Sequence, residues 1–282
     1  MSLIDRDWHQ TYRIVTSPLR LAPDFIIAGE AKCGTTSLYR YLVAHPDVLP
    51  ADRKEPYNFI DYPDSMAMCR SHYPFVATCW WRRRFLRRDC VTGEASAEYF
   101  SRRYVAEKIA EKLPDVRIII LLRDPVQRAL SDWNMLKDAG VLTGSFEDIV
   151  DKSIRWLSDN DLRPILMDAG QVEHSPIRLV LRGIYVDNLQ RWMKHFDRNH
   201  LRIYSSEHFF NNTAEVTGDI FRFIEVGPYQ HSDSRRYREG KYSTGEHATA
   251  LRKLSEFYAP FNEELFTLLG RRLPWDEANS RS

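Results

Sequence analysis

Residues 25–42 read FIIAGEAKCGTTSLYRYL, and this stretch limits the possible folds of the chain more than any other. It begins with a short apolar run rich in β-branched residues, which predicts a buried strand over 24–28. Glycine and small residues follow. From Thr35 to His45 the apolar residues recur at helical spacing until Pro46 ends the pattern. A strand, a glycine loop and a helix in this order form the first half of a βαβ unit.

The remaining chain alternates between extended and helical patterns. Buried strands are predicted at 116–122 and 201–205. Asp124 and Pro125 predict a helix start directly after the first of these, with Gly140 at its end. Further helices are expected at 101–113, 176–196, 213–224 and 246–270. This alternation predicts an α/β fold with a central parallel β-sheet flanked by helices on both faces.

Length and charge bound the class of protein. The 282 residues predict one domain, with an extension at 1–22, a core at 23–275 and a tail at 276–282. The net charge of +1 gives no support to a nucleic-acid partner. No apolar stretch reaches the roughly 18–20 residues of a transmembrane helix. The first ten residues lack the apolar core of a secretory signal, so a cytoplasmic location is expected.

Two features leave alternatives open. The cysteines at 33, 69, 79 and 90 have neither CxxC spacing nor a histidine at zinc spacing, which favours free thiols; a Cys69–Cys79 bridge is the alternative. The run WWRRRFLRR at 80–88 concentrates arginine and aromatic residues. It either grips an anionic chain, with aromatic rings stacked on sugars, or forms one solvated face of a helix.

The loop after the first strand fits an anion. Gly29 and Gly34 have the spacing of the nucleotide-binding P-loop, GxxxxGK[ST], and Thr36 matches its hydroxyl position. Thr35 stands where that loop carries lysine, and the lysine lies three positions earlier, at Lys32. Backbone N–H groups at a helix N-terminus attract an anion. The alternative is a plain glycine turn with an exposed lysine.

A second anion-binding pair follows the strand at 116–122, in LLRDPVQRALSD. A P-loop enzyme would use an aspartate here to bind magnesium, but the cation of Arg123 would oppose a metal ion at this position. A guanidinium at the carboxyl end of a parallel strand offers the bidentate geometry that phosphate prefers, and Ser131 could complete the clamp. The alternative pairs Arg123 with a structural aspartate.

Together these stretches resemble the nucleotide motifs of sulfotransferases that use 3′-phosphoadenosine 5′-phosphosulfate (PAPS). AKCGTTSL is similar to their 5′-phosphosulfate loop, and RDPVQRALSDW to their 3′-phosphate motif. The similarity is closer to the carbohydrate branch, the heparan sulfate O- and N-sulfotransferases and their bacterial relatives. It continues through KEPYNFID (54–61), GEASAEYF (93–100), LRGIYVDNLQRWMKHF (181–196) and the segment 251–275.

The resemblance implies a role for each matching position. Lys32 would stabilise the leaving phosphate, and Glu55, in RKEPYNF, would be the general base on an acceptor hydroxyl. The implied donor-binding residues are Lys32, Cys33, Gly34, Thr35, Thr36 and Ser37 at the 5′ end, Arg123 and Ser131 at the 3′-phosphate, and Gly240 and Lys241 in a closing glycine loop. No metal is implied, because a sulfuryl group carries less charge than a γ-phosphoryl group. The implied partner is a glycan or glycolipid hydroxyl, less favourably an amine.

Some positions depart from that pattern or allow another interpretation. Ala95 stands where the heparan enzymes carry lysine, which argues against a heparan-like acidic acceptor. Glu55 is alternatively a solvated partner for Arg53 or Lys54, and His45 and His72 are rival bases. A P-loop kinase-like phosphotransferase and a non-catalytic nucleotide-binding protein are the alternative functions; the missing P-loop lysine argues against the first, and Glu55 against the second.

Overall fold

The computed structural model of the protein describes residues 3–160, 162, 175–230 and 245–275. Within these residues, five strands form one sheet in the order β2-β3-β1-β4-β5, and every neighbouring pair is parallel. The strands are β1 (Phe25–Ile27), β2 (Val48–Pro50), β3 (Val91–Ala95), β4 (Arg117–Leu122) and β5 (Leu201–Ser205). The predicted parallel α/β fold is confirmed.

Helices surround this sheet. In chain order they are α1 (Leu3–Val15), α2 (Thr35–Val43), α3 (Asn58–Asp61), α4 (Met66–Ser71), α5 (Val76–Trp81), α6 (Val105–Lys112), α7 (Pro125–Asp138), α8 (Phe146–Asp159), α9 (Arg178–Leu181), α10 (Val186–His195), α11 (Ser206–Asn211), α12 (Thr213–Phe223) and α13 (Ala248–Leu269). No helix in the described ranges is long and apolar enough to cross a bilayer.

The hydrophobic core lies on both faces of the sheet. Along β4, Ile118 and Ile120 pack into one buried cluster, whereas Ile119 and Leu121 pack into the other. Successive strand residues point to opposite faces, so this alternation means that helices cover both. The continuous apolar run of β4 is therefore explained by burial on two sides.

The predicted elements agree with the observed ones except at one helix. The predicted helix 176–196 is wrong: the chain forms α9 and α10, separated by residues 182–185. A Cβ at Gly183 would lie 2.5 Å from the Tyr258 hydroxyl oxygen, so α13 packs tightly against this break. The short strands β2 and β3 were not predicted, nor were the helices between them.

The cysteines correct another prediction. Cys79 and Cys90 form a disulfide, with their Cα atoms 5.5 Å apart. Neither four free thiols nor a Cys69–Cys79 bridge is therefore right. Cys69 is free and packs in the core at 1% exposure, whereas the segment 80–89 turns back and brings Cys90 to Cys79. Cys33 is also free and buried.

Candidate active site

The carboxyl ends of the parallel strands bring the predicted site residues to one edge of the sheet, which we call the carboxyl edge. The loop 28–34 follows β1, Glu55 lies shortly after β2, and Arg123 directly follows β4. Ser131 lies in α7 and is buried. Ligands of open parallel sheets bind at this edge. Gly240 and Lys241 lie outside the described residues.

Two glycines shape the loop after β1. A Cβ on Gly29 would lie 2.1 Å from the backbone nitrogen of Leu121, so only glycine allows the loop to pass this close to β4. Gly34 has a φ of +89° and precedes α2 as its N-cap residue. Lys32 also adopts a left-handed conformation, with φ +70°, which is uncommon for a residue with a Cβ. Its Nζ lies 3.4 Å from the Met135 sulfur on α7.

The first turn of α2 presents hydrogen-bond donors to the loop. The bond from Leu38 N to Gly34 O, at 3.0 Å, opens the helical ladder, so the N–H groups of residues 35–37 precede it. Thr36 is partly exposed, whereas Thr35 and Ser37 are buried. Burial raises the pKa of the Cys33 thiol to about 12, so Cys33 stays protonated, and its backbone N–H donates to Glu30 O at 3.2 Å.

Arg123 lies against this loop. Its Nη1 donates to the Lys32 carbonyl oxygen at 3.2 Å, and its own carbonyl accepts from the Tyr185 hydroxyl at 2.9 Å. Within the described residues, the Arg123 guanidinium thus donates to the backbone of the loop and not to a structural aspartate. Asp124 caps α7 as predicted, since its Oδ1 accepts from Val126 N at 3.0 Å. Burial raises the pKa of Asp124 to about 7.

Arg182, which the sequence did not predict as part of the site, connects this loop to Glu98. Its Nη2 lies 3.0 Å from Glu30 Oε1, and its Nη1 lies 3.5 Å from Glu98 Oε1. Glu30 is fully buried; burial raises its pKa, and the Arg182 cation opposes that rise. A fully buried carboxylate requires a nearby cation or hydrogen-bond donors, and Arg182 meets this requirement for Glu30.

Glu55 lies in a strained loop. Glu55 has a φ of +59° and Tyr57 a φ of +53°, both in the left-handed region. The Glu55 side chain is 33% exposed and forms an ion pair with Lys54, as the alternative interpretation expected. Burial raises the pKa of the Tyr57 hydroxyl, and the neighbouring Glu55 and Glu98 carboxylates add to the rise. The Tyr57 hydroxyl therefore lies within electrostatic range of Glu55 and of the Glu98–Arg182 pair.

The two rival histidines differ in their positions. His45 lies after α2, roughly 15 Å along the helix axis from Thr35. Thr35 directly follows the loop 28–34, which we call the phosphate loop after its predicted ligand. The Nδ1 of His45 accepts from Asp47 N at 3.0 Å and its Nε2 lies 2.9 Å from Gly227 O, so both ring nitrogens have partners. His72 pairs with Asp52 at 2.8 Å and is buried. Since Asp52 shortly precedes Glu55, His72 is the closer rival.

A second buried carboxylate was also missed. Burial raises the pKa of Glu94, in β3, to about 7. Glu94 accepts from Ser96 Oγ at 2.9 Å and from the Tyr99 hydroxyl at 3.4 Å. The Tyr99 hydroxyl in turn accepts from Phe59 N at 3.2 Å, which anchors α3 directly after the Glu55 loop. Ala95 is fully buried.

The arginine-rich segment 80–88 lies at the opposite edge of the sheet. Arg82 and Arg88 each lie 3.9 Å from Asp47, which directly precedes β2, and Cys90 directly precedes β3. The segment therefore lies away from the loop 28–34, and an anionic chain gripped by it would lie at this other edge. Trp80 and Trp81 are 63% and 50% exposed, as expected for a solvated helix face.

Several curated proteins are similar to this chain in sequence. Heparan sulfate glucosamine 3-O-sulfotransferase 3B1 of Mus musculus is 26% identical over 279 residues, covering 90% of this chain and 65% of that protein. Carbohydrate sulfotransferase 15 of Homo sapiens is 26% identical over 304 residues, covering 89% and 54%. The chain thus spans less than two thirds of these curated relatives.

A solved structure and a family profile agree with them. The crystal structure of a sulfotransferase from Alicyclobacillus acidocaldarius matches with a TM-score of 0.64 and 26% identity, covering 90% of this chain and 98% of that one. The profile of the sulfotransferase domain matches residues 22–259, which include the phosphate loop, Glu55, Arg123 and Arg182. The chain belongs to the sulfotransferase domain family.

Proposed function

We propose that the protein transfers a sulfuryl group from PAPS to a hydroxyl group of a glycan or glycolipid. Membership of the sulfotransferase family supports the class of reaction. Relatives named for heparan sulfate and carbohydrate sulfation support the class of acceptor. The observation that carries the proposal is the contact between the Arg123 guanidinium and the backbone of Lys32, because it sets two cations at the carboxyl edge.

The donor carries two anionic groups, and the site offers two sets of cations and hydrogen-bond donors. The N–H groups at the start of α2 and the Lys32 ammonium suit the 5′-phosphosulfate. Arg123 and Ser131 suit the 3′-phosphate, which distinguishes PAPS from ATP. By resemblance, Gly240 and Lys241 would close over the nucleotide.

In the proposed step, the acceptor oxygen bonds to sulfur as the bond from sulfur to the bridging phosphate oxygen breaks. The acceptor proton passes to the Glu55 carboxylate, and the bridging oxygen keeps the electron pair of the broken bond. Lys32 stabilises the negative charge that develops on this oxygen. The Lys54 ion pair fixes the Glu55 carboxylate beside Tyr57 until the acceptor arrives.

Calorimetry with two nucleotides tests the donor assignment. We expect 3′-phosphoadenosine 5′-phosphate to bind at least about tenfold more tightly than adenosine 5′-phosphate, because a hydrogen bond to a charged group contributes about 1.5–3 kcal/mol. Arg123→Ala should remove most of this preference. Equal affinities for the two nucleotides in the unmodified protein would contradict the role of Arg123 and Ser131.

Incubation with labelled PAPS tests the acceptor. A panel of neutral glycans, glycolipids and heparan-type oligosaccharides, followed by mass spectrometry, should show a sulfated product among the first two groups. The buried Ala95, in place of a lysine, motivates the expectation that heparan-type chains react poorly. A strong preference for heparan-type acceptors would contradict that expectation, and nucleotide binding without any sulfated product would favour a non-catalytic protein.

A further inference from the structure

Residues 76–88 form an exposed surface, which we call the basic–aromatic face. Its apolar side chains are Val76, Trp80, Trp81, Phe85 and Leu86, which are between 46% and 63% exposed. The Phe85 ring lies 6.1 Å from the Trp80 ring and 5.9 Å from the Trp81 ring, so the aromatic residues form one cluster. Large apolar side chains grouped on a surface are typical of interaction sites.

Arginines surround this cluster. Arg83, Arg84 and Arg87 are exposed, whereas Arg82 and Arg88 lie near Asp47. The run 80–90 contains five arginines and one acidic residue, so the face is strongly positive although the whole chain carries a charge of only +1. This local charge complements an anionic surface.

The face is held in place from several sides. The Cys79–Cys90 disulfide closes the segment, and Arg82 donates to the carbonyl of Pro46. At its start, the Arg20 guanidinium lies 4.0 Å from the centre of the Phe75 ring. The face is therefore a fixed part of the amino edge, the edge where the strands begin.

A second apolar stripe adjoins the face. Trp8, Tyr12, Val15 and Leu19 recur at helical spacing along α1 and the turn that follows it, and they are between 47% and 73% exposed. Leu19 directly precedes Arg20, which contacts Phe75 next to Val76. The exposed apolar surface thus continues from residues 76–88 towards α1.

We propose that the basic–aromatic face docks onto an anionic lipid bilayer. Tryptophan and phenylalanine favour the boundary between headgroups and acyl chains, and guanidinium groups bind lipid phosphates with bidentate geometry. The aliphatic Val76 and Leu86 favour lipid over a polysaccharide, because sugars stack on rings and gain little from aliphatic side chains. Docking at the amino edge leaves the carboxyl edge, with the phosphate loop, facing the aqueous side.

Vesicle sedimentation with the full chain tests this proposal. Binding to vesicles of phosphatidylcholine with 30% phosphatidylglycerol should exceed binding to pure phosphatidylcholine. Arg84→Gln with Arg87→Gln should weaken binding about 30-fold, since each basic residue near an anionic surface contributes about 1 kcal/mol. The control is Arg222→Gln with Arg252→Gln, which removes the same charge from two exposed positions outside the face and should have a much smaller effect.

A second set of variants tests the apolar contribution. Trp81→Ser with Phe85→Ser should weaken vesicle binding without changing the thermal unfolding midpoint, because both side chains are at least half exposed. In the unmodified protein, tryptophan fluorescence should shift to the blue when anionic vesicles are added. Equal vesicle binding by all variants would overturn the proposal. The proposal is also wrong if these residues bind a sulfated polysaccharide but not vesicles. It is equally wrong if the face forms a concentration-dependent dimer that Trp81→Ser disrupts.

Discussion

Replacing Arg182 by methionine tests the buried ion pair between Arg182 and Glu30, which lies in the loop 28–34. The substitution keeps an unbranched side chain of similar length but removes the cation that lies 3.0 Å from Glu30. Arg182 itself is 9% exposed and Glu30 is fully buried, so water cannot replace the lost partner well. Breaking a buried ion pair by removing one partner typically costs about 3–5 kcal/mol. We expect the free energy of unfolding to fall by this amount near pH 8.

The loss should depend on pH in a definite direction. Burial already raises the pKa of Glu30, and Arg182 opposes the rise, so removing Arg182 raises this pKa further. The folded variant then binds a proton that the unfolded chain releases above about pH 4.3. Stability of the variant therefore falls, relative to the unmodified protein, as the pH rises from that value to the raised pKa, by at most about 1.4 kcal/mol per pH unit. Chemical denaturation at pH 5 and pH 8 measures the difference.

Two controls separate this effect from simple loss of packing. Glu30→Gln combined with Arg182→Met leaves no buried charge unpaired, so the double variant should recover much of the lost stability. Arg102→Met removes a partial surface partner of Glu98, at 3.4 Å, and should cost no more than about 1 kcal/mol. If Arg182→Met is as stable as the unmodified protein at pH 8, or equally destabilised at both pH values, the inferred role of the Glu30–Arg182 pair is wrong.

Three further variants address the proposed chemistry and the amino edge. Lys32→Ala should raise the activation free energy by about 3 kcal/mol and so lower turnover, because it removes a preorganised donor to the transition state. Calorimetry should still detect nucleotide binding, and near-native turnover would refute the role of Lys32. Glu55→Gln should lower turnover at least about 100-fold with little change in nucleotide affinity, whereas His72→Ala should leave turnover nearly unchanged. If His72→Ala abolishes turnover and Glu55→Gln does not, His72 is the base. Cys79→Ser with Cys90→Ser opens a loop of 11 residues and should lower the free energy of unfolding by about 3 kcal/mol relative to the oxidised protein. The reduced, unmodified protein is the control and should match the double variant.

The sequence predicted those parts of the fold that carry a strong local signal. The strand β4 was found because it is buried on both faces, so every residue after Arg117 is apolar. Helices α2 and α7 were found because a proline or glycine marks their ends. The strands β2 and β3 were missed because β2 is only three residues long and β3 contains Gly93, Glu94 and Thr92. Pairing of β3 with β1, and of β2 with β3, stabilises these strands, and no local pattern reveals that pairing.

The candidate site divides in a similar way. Lys32 and Gly34 could be predicted because the loop that holds them is continuous in sequence and its spacing is fixed by backbone geometry. Arg123 could be predicted because it directly follows a strongly apolar strand. Arg182 could not, because it lies far along the chain and reaches Glu30 only where the predicted helix 176–196 breaks. The break itself depends on Gly183 lying against Tyr258, which is again a long-range contact.

The position of Glu55 also rests on contacts that sequence spacing does not reveal. The left-handed conformations of Glu55 and Tyr57 cost of order 1–3 kcal/mol each, so nearby structure must offset that cost. The Tyr99 hydroxyl supplies one such contact, since it accepts from Phe59 N and donates to the buried Glu94. The Glu98–Arg182 pair lies within electrostatic range of Tyr57. Because Arg182 also pairs with Glu30, this buried cation contacts the loop proposed to bind the donor and acts through its charge on the loop proposed to activate the acceptor. A change at Arg182 should therefore disturb both loops together, which neither motif alone would suggest.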